Sequence, residues 1–497
     1  MPPKGAGVVA MIKAKIKAKI KKVISGAVAV AAAAAIIGGS IAAMNARKPI
    51  SVAERPAAVK TSDQPFVTEV TGESKNFRIP AMITLESGRI VASADARYDT
   101  TLDGGGLDTV VAYSDDSGAT WTSYTANHLG DNGNKFSKKS SAFIDSELIA
   151  NGNNVWMMTT FYPGGRNLAS WTGIKAAVAE PAFNEDGNLK ISDNHGKSYD
   201  YKADINHFEN GYSQITDGNG KDSGYKIDEY YYLYDANNNL LGNIFYIKSK
   251  MKFSVVPTTY LYMTKSENGG ESFGAPKLIN LKKADEAFYG VGPGRGICTS
   301  NGTLIFSAYV CDVKAGTQQA SFIYSTDGGS TWQRSRDIES NDTFEYSSES
   351  QIVELSNGDL RCFFRNNSNR ICYADAKLTG TEYIWSDPVV TETEISSACM
   401  LSAIQCTKGG KDYILISCPT GTSKKKGKTV HERSCGKIFS FEVDGAGNMT
   451  LTKTTDINDS AFMYSCMTCL NNGRIALLYE SAEGEITYTV YAPGELI

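Results

Sequence analysis

Two octapeptides constrain this chain more than any other feature. SDDSGATW (Ser114–Trp121) and STDGGSTW (Ser325–Trp332) share the pattern S-x-D-x-G-x-T-W, and SENGGESF (Ser266–Phe273) is a weaker copy. Such a string describes a hairpin turn. Asp or Asn caps turn amides, Gly takes a backbone conformation closed to other residues, and the aromatic tucks into the adjoining sheet. YADAKLTGTEYIW (Tyr373–Trp385) reads as a fourth copy without its glycine turn, and SDNHGKSY (Ser192–Tyr199) as a coincidental match. Asn268 to Asp327 spans 59 residues and Trp332 to Trp385 spans 53. A four-stranded propeller blade takes roughly 40–50 residues, so each interval holds about one blade. The 152 residues from Asp116 to Asn268 exceed two such intervals by several tens. The surplus is assigned to a β-rich insertion at about 180–241, where the sequence is polar and rich in Gly and Asn.

The rest of the body agrees with an all-β chain. Short alternating or apolar runs such as GRIVASADARY, NNVWMMTTFY, TLIFSAYV and RIALLYES are separated by Gly, Asn and Asp turn signals. An apolar content of 41% supports a substantial core. Four histidines and no H-E-x-x-H speak against histidine catalysis and a zinc enzyme. The ten cysteines lie between Cys298 and Cys469 without metal-ligand spacing and read as buried thiols.

Charge is uneven. The first 22 residues hold seven lysines and no acid, so the remainder is more acidic than the net −4. That balance excludes a nucleic-acid footprint. Val23–Met44 is uncharged and rich in Ala and Gly. A basic region followed by such a run fits export, as a cleaved signal or an uncleaved anchor. Residues 1–44 are therefore set apart, 45–69 are read as a linker, and 70–497 as the propeller.

The stretch NFRIPAM (Asn76–Met82) places an arginine between apolar residues and ahead of a proline. Either Arg78 points to solvent from a strand start, or it points into a pocket and grips an anion.

With the boxes, the F-R-I-P stretch is where the chain resembles the bacterial sialidases, from about Val70 to Tyr491. The resemblance implies a six-bladed β-propeller with its Asp boxes on the face away from the substrate. It also implies a retaining exo-α-sialidase acting on sialylated glycans of glycoproteins, gangliosides and oligosaccharides, with no cofactor and no metal. The alternatives are a trans-sialidase or anhydro-forming relative, or a non-catalytic glycan-binding propeller. Relatives often carry a lectin-like domain ahead of the propeller, and the 25 residues of 45–69 leave no room for one.

A sugar carboxylate calls for planar, permanently charged, bidentate partners, which means arginine. The resemblance supplies three: Arg78, Arg365 sixteen residues after Glu349, and Arg433 ahead of Tyr464. The resemblance also implies Tyr464 as the nucleophile and Glu349 as its base; a neutral phenol avoids the repulsion that an attacking carboxylate would meet from the substrate's own. The acid is Asp103 in RYDTTLDGGGLDT, with Asp99 and Asp108 as competitors on the same loop. Arg97 matches an arginine on the 4-hydroxyl side of the sugar, Asp145 the acetamido side, and Glu480 the acid that holds Arg78. Arg295, in GVGPGRG, is read as a surface residue on a turn at the pocket rim. The anhydro-forming type carries a tryptophan after the nucleophile; the last tryptophan here is Trp385, which favours hydrolysis.

Overall fold

The computed structural model describes residues 57–70, 74–98, 101–104, 106–129, 141–163, 180–245, 251–312 and 317–497. The N-terminal segment 1–44 and Asp99 lie outside them. Nearly all the regular structure is antiparallel strand, in a propeller-like succession of sheets. The first unit runs Asn76–Thr84, Ile90–Arg97, Leu107–Ser114 and Thr120–Asn127. Further units open with Ala142–Asn151, Glu286–Val291, Ser350–Glu354, Ser402–Lys408 and Ser465–Cys469. These opening strands contact one another, which makes them the inner strands. Midway along they are apolar on both faces, as Ala81–Ile83 and Ile352–Val353 illustrate, because each is covered by its neighbours as well as by its own sheet.

The last unit closes on the first. Phe77 N donates to Gly484 O at 2.8 Å, and the Tyr488 ring meets Trp121 edge-on at 5.1 Å. Gly118 makes that approach possible: a Cβ there would lie 2.1 Å from the Tyr488 ring, and its φ is +91°. Residues 57–69, the described part of the stretch read as a linker, pack on the propeller. Val59–Ser62 pairs antiparallel with Thr120–Asn127, and Gln64 Oε1 accepts Tyr488 N at 2.7 Å. The β-branched Val59 and Thr61 of VKTS suit that outer edge, where one face packs and the other is wet.

The insertion is larger than its polar composition suggests. The chain leaves the second unit at Tyr162 and returns at Tyr260. Between them, strands from Leu189–Ser192 to Ser254–Val255 form a separate seven-stranded antiparallel sheet. Its later residues are apolar because they dock on the propeller: Phe245 packs against Phe161 and Tyr260 with centroids 5.0 and 5.1 Å apart. Composition alone therefore placed the boundary near Leu241, too early.

The boxes share one geometry. Ser114 Oγ donates to Asp116 Oδ1 and accepts Gly118 N, both at 2.8 Å, while Asp116 accepts Thr120 N at 2.8 Å. Ser266–Asn268–Gly270–Ser272 and Ser325–Asp327–Gly329–Thr331 repeat it. SDNHGKSY is a correction to the sequence reading, because it folds the same way. Ser192 Oγ donates to Asn194 Oδ1 at 2.9 Å, and Gly196 N and Ser198 N close the turn. Tyr373–Trp385 is instead a plain hairpin turning at Gly380, and its Asp375 pairs with Arg361.

Candidate active site

The inner strands are irregular where the site forms. In Asn76–Thr84 the ladder slips between Arg78 and Ala81, where Pro80 cannot donate a hydrogen bond. Ile79 sits at φ +58°, a costly conformation for a β-branched residue, and its N–H donates to Glu480 Oε1 at 2.8 Å. The same fully buried carboxylate receives Arg78 Nε and Nη2 at 3.3 Å. Arg78 is thus enclosed and fixed, not solvent-pointing. A second slip, between Ile144 and Glu147, surrounds Asp145 at φ +61°.

The sixteen-residue interval from Glu349 to Arg365 is a hairpin. Arg365 N donates to Glu349 O at 2.8 Å, so the two side chains are cross-strand neighbours. Arg365 Nη1 donates to Glu349 Oε2 at 2.9 Å, and Tyr464 OH donates to Glu349 Oε1 at 2.6 Å. Arg365 Nη1 also reaches the phenol oxygen at 3.4 Å. The guanidinium groups of Arg433 and Arg78 lie 5.4 and 5.8 Å from the Tyr464 ring centre. All three arginines therefore surround one phenol, which rests on Ile79, Cys399, Met400 and Met463.

Asp103 stands at the open side, with its side chain 46% exposed. Its Oδ1 accepts Arg97 Nη1 at 2.7 Å and lies 3.8 Å from Arg78 Nη1. Arg97 is fully buried and donates to Asp95 Oδ2 at 2.8 Å; Asp95 Oδ1 in turn accepts Asp145 N at 3.1 Å. Burial, then the Glu349 charge, holds the Tyr464 phenol well above its usual pKa, against the pull of Arg365 and Arg433. The resting phenol is therefore protonated and needs a base to become a nucleophile. Burial also raises Asp145 well above the carboxylate range, reinforced by Asp95 and Glu349, and pushes Asp95 up to about 6 against Arg97. Burial opposes the charge of Arg365, but Glu349 and Tyr464 outweigh it and raise its pKa.

Residues 232–442 match the family model described as a BNR repeat-like domain. The anhydrosialidase of Macrobdella decora is 27% identical over 472 residues, covering 84% of this chain and 59% of its own. Sialidase B of Streptococcus pneumoniae is 27% identical over 454 residues, covering 82% and 62%. The crystal structure of the intramolecular trans-sialidase from Ruminococcus gnavus superposes with a TM-score of 0.73 at 26% identity, over 87% of this chain and 98% of that one. The chain is thus similar to sialidases in both sequence and fold. It spans about three fifths of the length of those two curated relatives.

Within this propeller fold, the nine residues given a catalytic, binding or supporting role in the sequence analysis lie together at one end of the inner strands. Asp108 does not share the acid's position: it is buried, accepts Tyr98 OH at 2.8 Å and lies 2.6 Å from His128 Nδ1. Arg295 is a correction. It is partly buried, with Nη2 on Ala403 O at 3.3 Å. It lines a cavity of about 250 Å³ with Thr84, Glu354, Gln405 and Thr468. Those residues mark the far ends of the inner strands, so Arg295 is neither a surface residue nor at the pocket rim. Sequence reasoning also missed three anchors. Asp95 stands two residues before Arg97, hence on the same strand face, a period-2 signal that could have revealed it. Ser397 O and Ala398 O hold Arg365, and Ala398 O also accepts Arg433 Nε at 2.9 Å. Backbone carbonyls of this kind leave no trace in residue type.

Proposed function

We propose that the chain is a retaining exo-α-sialidase that releases terminal sialic acid from glycoconjugates. The observation that carries this reading is the phenol of Tyr464, 2.6 Å from Glu349 and encircled by Arg78, Arg365 and Arg433. A carboxylate on the anomeric carbon would meet three guanidinium groups there, and in binding Arg78 it would compete with Asp103. Glu349 takes the phenol proton as the Tyr464 oxygen bonds to that carbon. Asp103 gives its proton to the departing glycosidic oxygen, then takes one from the water that attacks the anomeric carbon, as the bond to Tyr464 breaks and Glu349 returns its proton to the phenolate. Two inversions give net retention. Counting each antiparallel unit as one blade gives a six-bladed propeller, and the basic and apolar N-terminal segment directs export.

The names of the relatives favour a second reading, in which the covalent intermediate is resolved within the sugar to an anhydro product. The absence of tryptophan after Tyr464 favours water instead. Incubating the full chain with an aryl α-sialoside and analysing the product decides both points. Free sialic acid is expected, first as the α-anomer; an anhydro sugar would establish the second reading, and no aglycone release would overturn both.

A further inference from the structure

The connection that carries Arg433 also carries a charge pattern that the pocket does not use. Between Pro419 and Gly436 the chain forms a two-stranded hairpin, Thr422–Lys425 with Lys428–His431. Lys426 at φ 51° and Gly427 at φ 77° make a two-residue turn that needs positive φ at both positions. Lys424, Lys425, Lys426 and Lys428 are all exposed. Lys425 and Lys428 are direct cross-strand partners, an arrangement of like charges that weakens a strand pair. The counter-charge is sparse. Glu432 lies 3.8 Å from Lys425 but also takes Ser423 Oγ, and Lys424 donates to Thr429 Oγ1. Among the described residues, neither Lys426 nor Lys428 has a carboxylate within ion-pair distance.

The base of this hairpin is fastened to the site. Thr420 N and Gly421 N donate to Ser434 O, Glu432 N to Gly421 O, and the next residue is Arg433, beside Tyr464. At about 3.3 Å per strand residue, the tip lysines stand roughly 15 Å from Arg433. Four cations in five positions thus stand within about 20 Å of the pocket's Arg433, on a chain whose net charge is −4. A field of that kind draws anions toward the mouth and orients them.

We infer that the Lys424–Lys428 hairpin is an accessory binding surface for polyanionic glycans, whose sulfate or further carboxylate groups lie on sugars behind the terminal residue held at Tyr464. This rests on the sialidase reading of the pocket and extends it to the rest of the substrate chain. A glycan fits better than an anionic membrane, because the hairpin tip offers no exposed apolar side chain to enter a bilayer.

The test compares the full chain with a variant carrying Lys424→Ser, Lys425→Ser, Lys426→Ser and Lys428→Ser, after equal melting temperatures confirm folding. Three substrates are used: an aryl α-sialoside, a soluble oligosialic acid and a sialylated sulfated oligosaccharide. Turnover of the aryl sialoside is expected to stay within twofold. On the two polyanions kcat/KM is expected to fall about tenfold or more at low salt, with the difference closing as salt approaches roughly 0.5 M. A loss confined to one polyanion identifies sulfate or carboxylate as the group read. Equal kinetics on all three substrates, or a loss that persists at high salt, overturns the inference. So does a difference seen only with vesicles of anionic lipid. If neither protein cleaves the aryl sialoside, the sialidase reading fails. Retention of a sulfated oligosaccharide by the parent but not the variant then still supports the hairpin's role, and equal retention overturns it.

Discussion

At the box end of the sheets, the defining contacts span two to four residues: Ser114 to Asp116, Ser114 to Gly118, Asp116 to Thr120. At the opposite end, around the candidate site, they join Glu349 to Tyr464 and Arg78 to Glu480, 115 and 402 residues apart. The box carboxylates Asp116 and Asp327 are exposed, whereas Glu480 is fully buried and Arg78 is 9% exposed. A box is therefore a local device that folds wherever its residues occur, and for that reason it recurs in the insertion sheet at Ser192–Ser198. The site exists only when distant strands are brought together. Its charges depend on one another because removing one partner strands the other in a low-dielectric interior.

The contrast can be broken most forcefully at Tyr464. Tyr464→Phe is expected to lower kcat by several orders of magnitude while melting temperature stays within a few degrees, since only a hydroxyl is lost. A modest loss of rate would remove the phenol from the chemistry. Glu480→Gln comes next, and it tests the pair that ties the last unit to the first. With Arg78 left in an enclosed site without its counter-charge, stability should fall by about 3–5 kcal/mol, read by denaturant unfolding. Unchanged stability would show that the pair does not hold the closure. For Arg365→Lys, kcat/KM is expected to drop roughly 10–100-fold with little change in stability, because a point charge cannot keep both the Glu349 and the Ala398 contacts.

The box end should answer in the opposite sense. Asp327→Ala removes the acceptor of Thr331 N and Oγ1 and should lower the melting temperature slightly with kinetics unchanged. Altered kcat/KM in that variant would mean that the two ends communicate. The smallest effect is one of pH. Thr331 holds the Asp327 carboxyl down to about 2, below its ordinary 3.8. Its contribution is thus present above roughly pH 4 and lost as pH falls through 2. Acid unfolding of Asp327→Asn should lack that component, and a superimposable acid transition would show that the hydrogen bonds contribute nothing.

The same division explains what could be read from residues alone. Two full boxes and one weaker copy were legible because their contacts are local, and the Glu349–Arg365 interval was legible because it is one hairpin. Tyr464, Arg78 and Glu480 were placed by family resemblance, which stands in for the long-range contacts that no single window contains. SDNHGKSY was passed over because it lies outside the propeller rhythm and ends in tyrosine, although its turn needs neither that rhythm nor a tryptophan. The insertion boundary was misplaced because its last strands are apolar for docking, and apolar strands look alike whichever sheet they join. Arg295 was misplaced because Gly294–Arg295 pairs in parallel with Glu147–Leu148, an interaction between units with no local signature.

The pairing of Arg78 with Glu480 also sets a clock. At ribosomal speeds of about 5–20 residues per second, roughly 20–80 s separate the synthesis of the two residues. Throughout that interval a strand bearing a buried-type arginine waits without its carboxylate, and Ile79 waits without the acceptor that fixes its unusual backbone. A nascent chain halted between Tyr464 and Glu480 holds Asp103, Glu349 and Tyr464 and still lacks a settled pocket floor. The floor of the pocket therefore settles only after every other residue around it has been made.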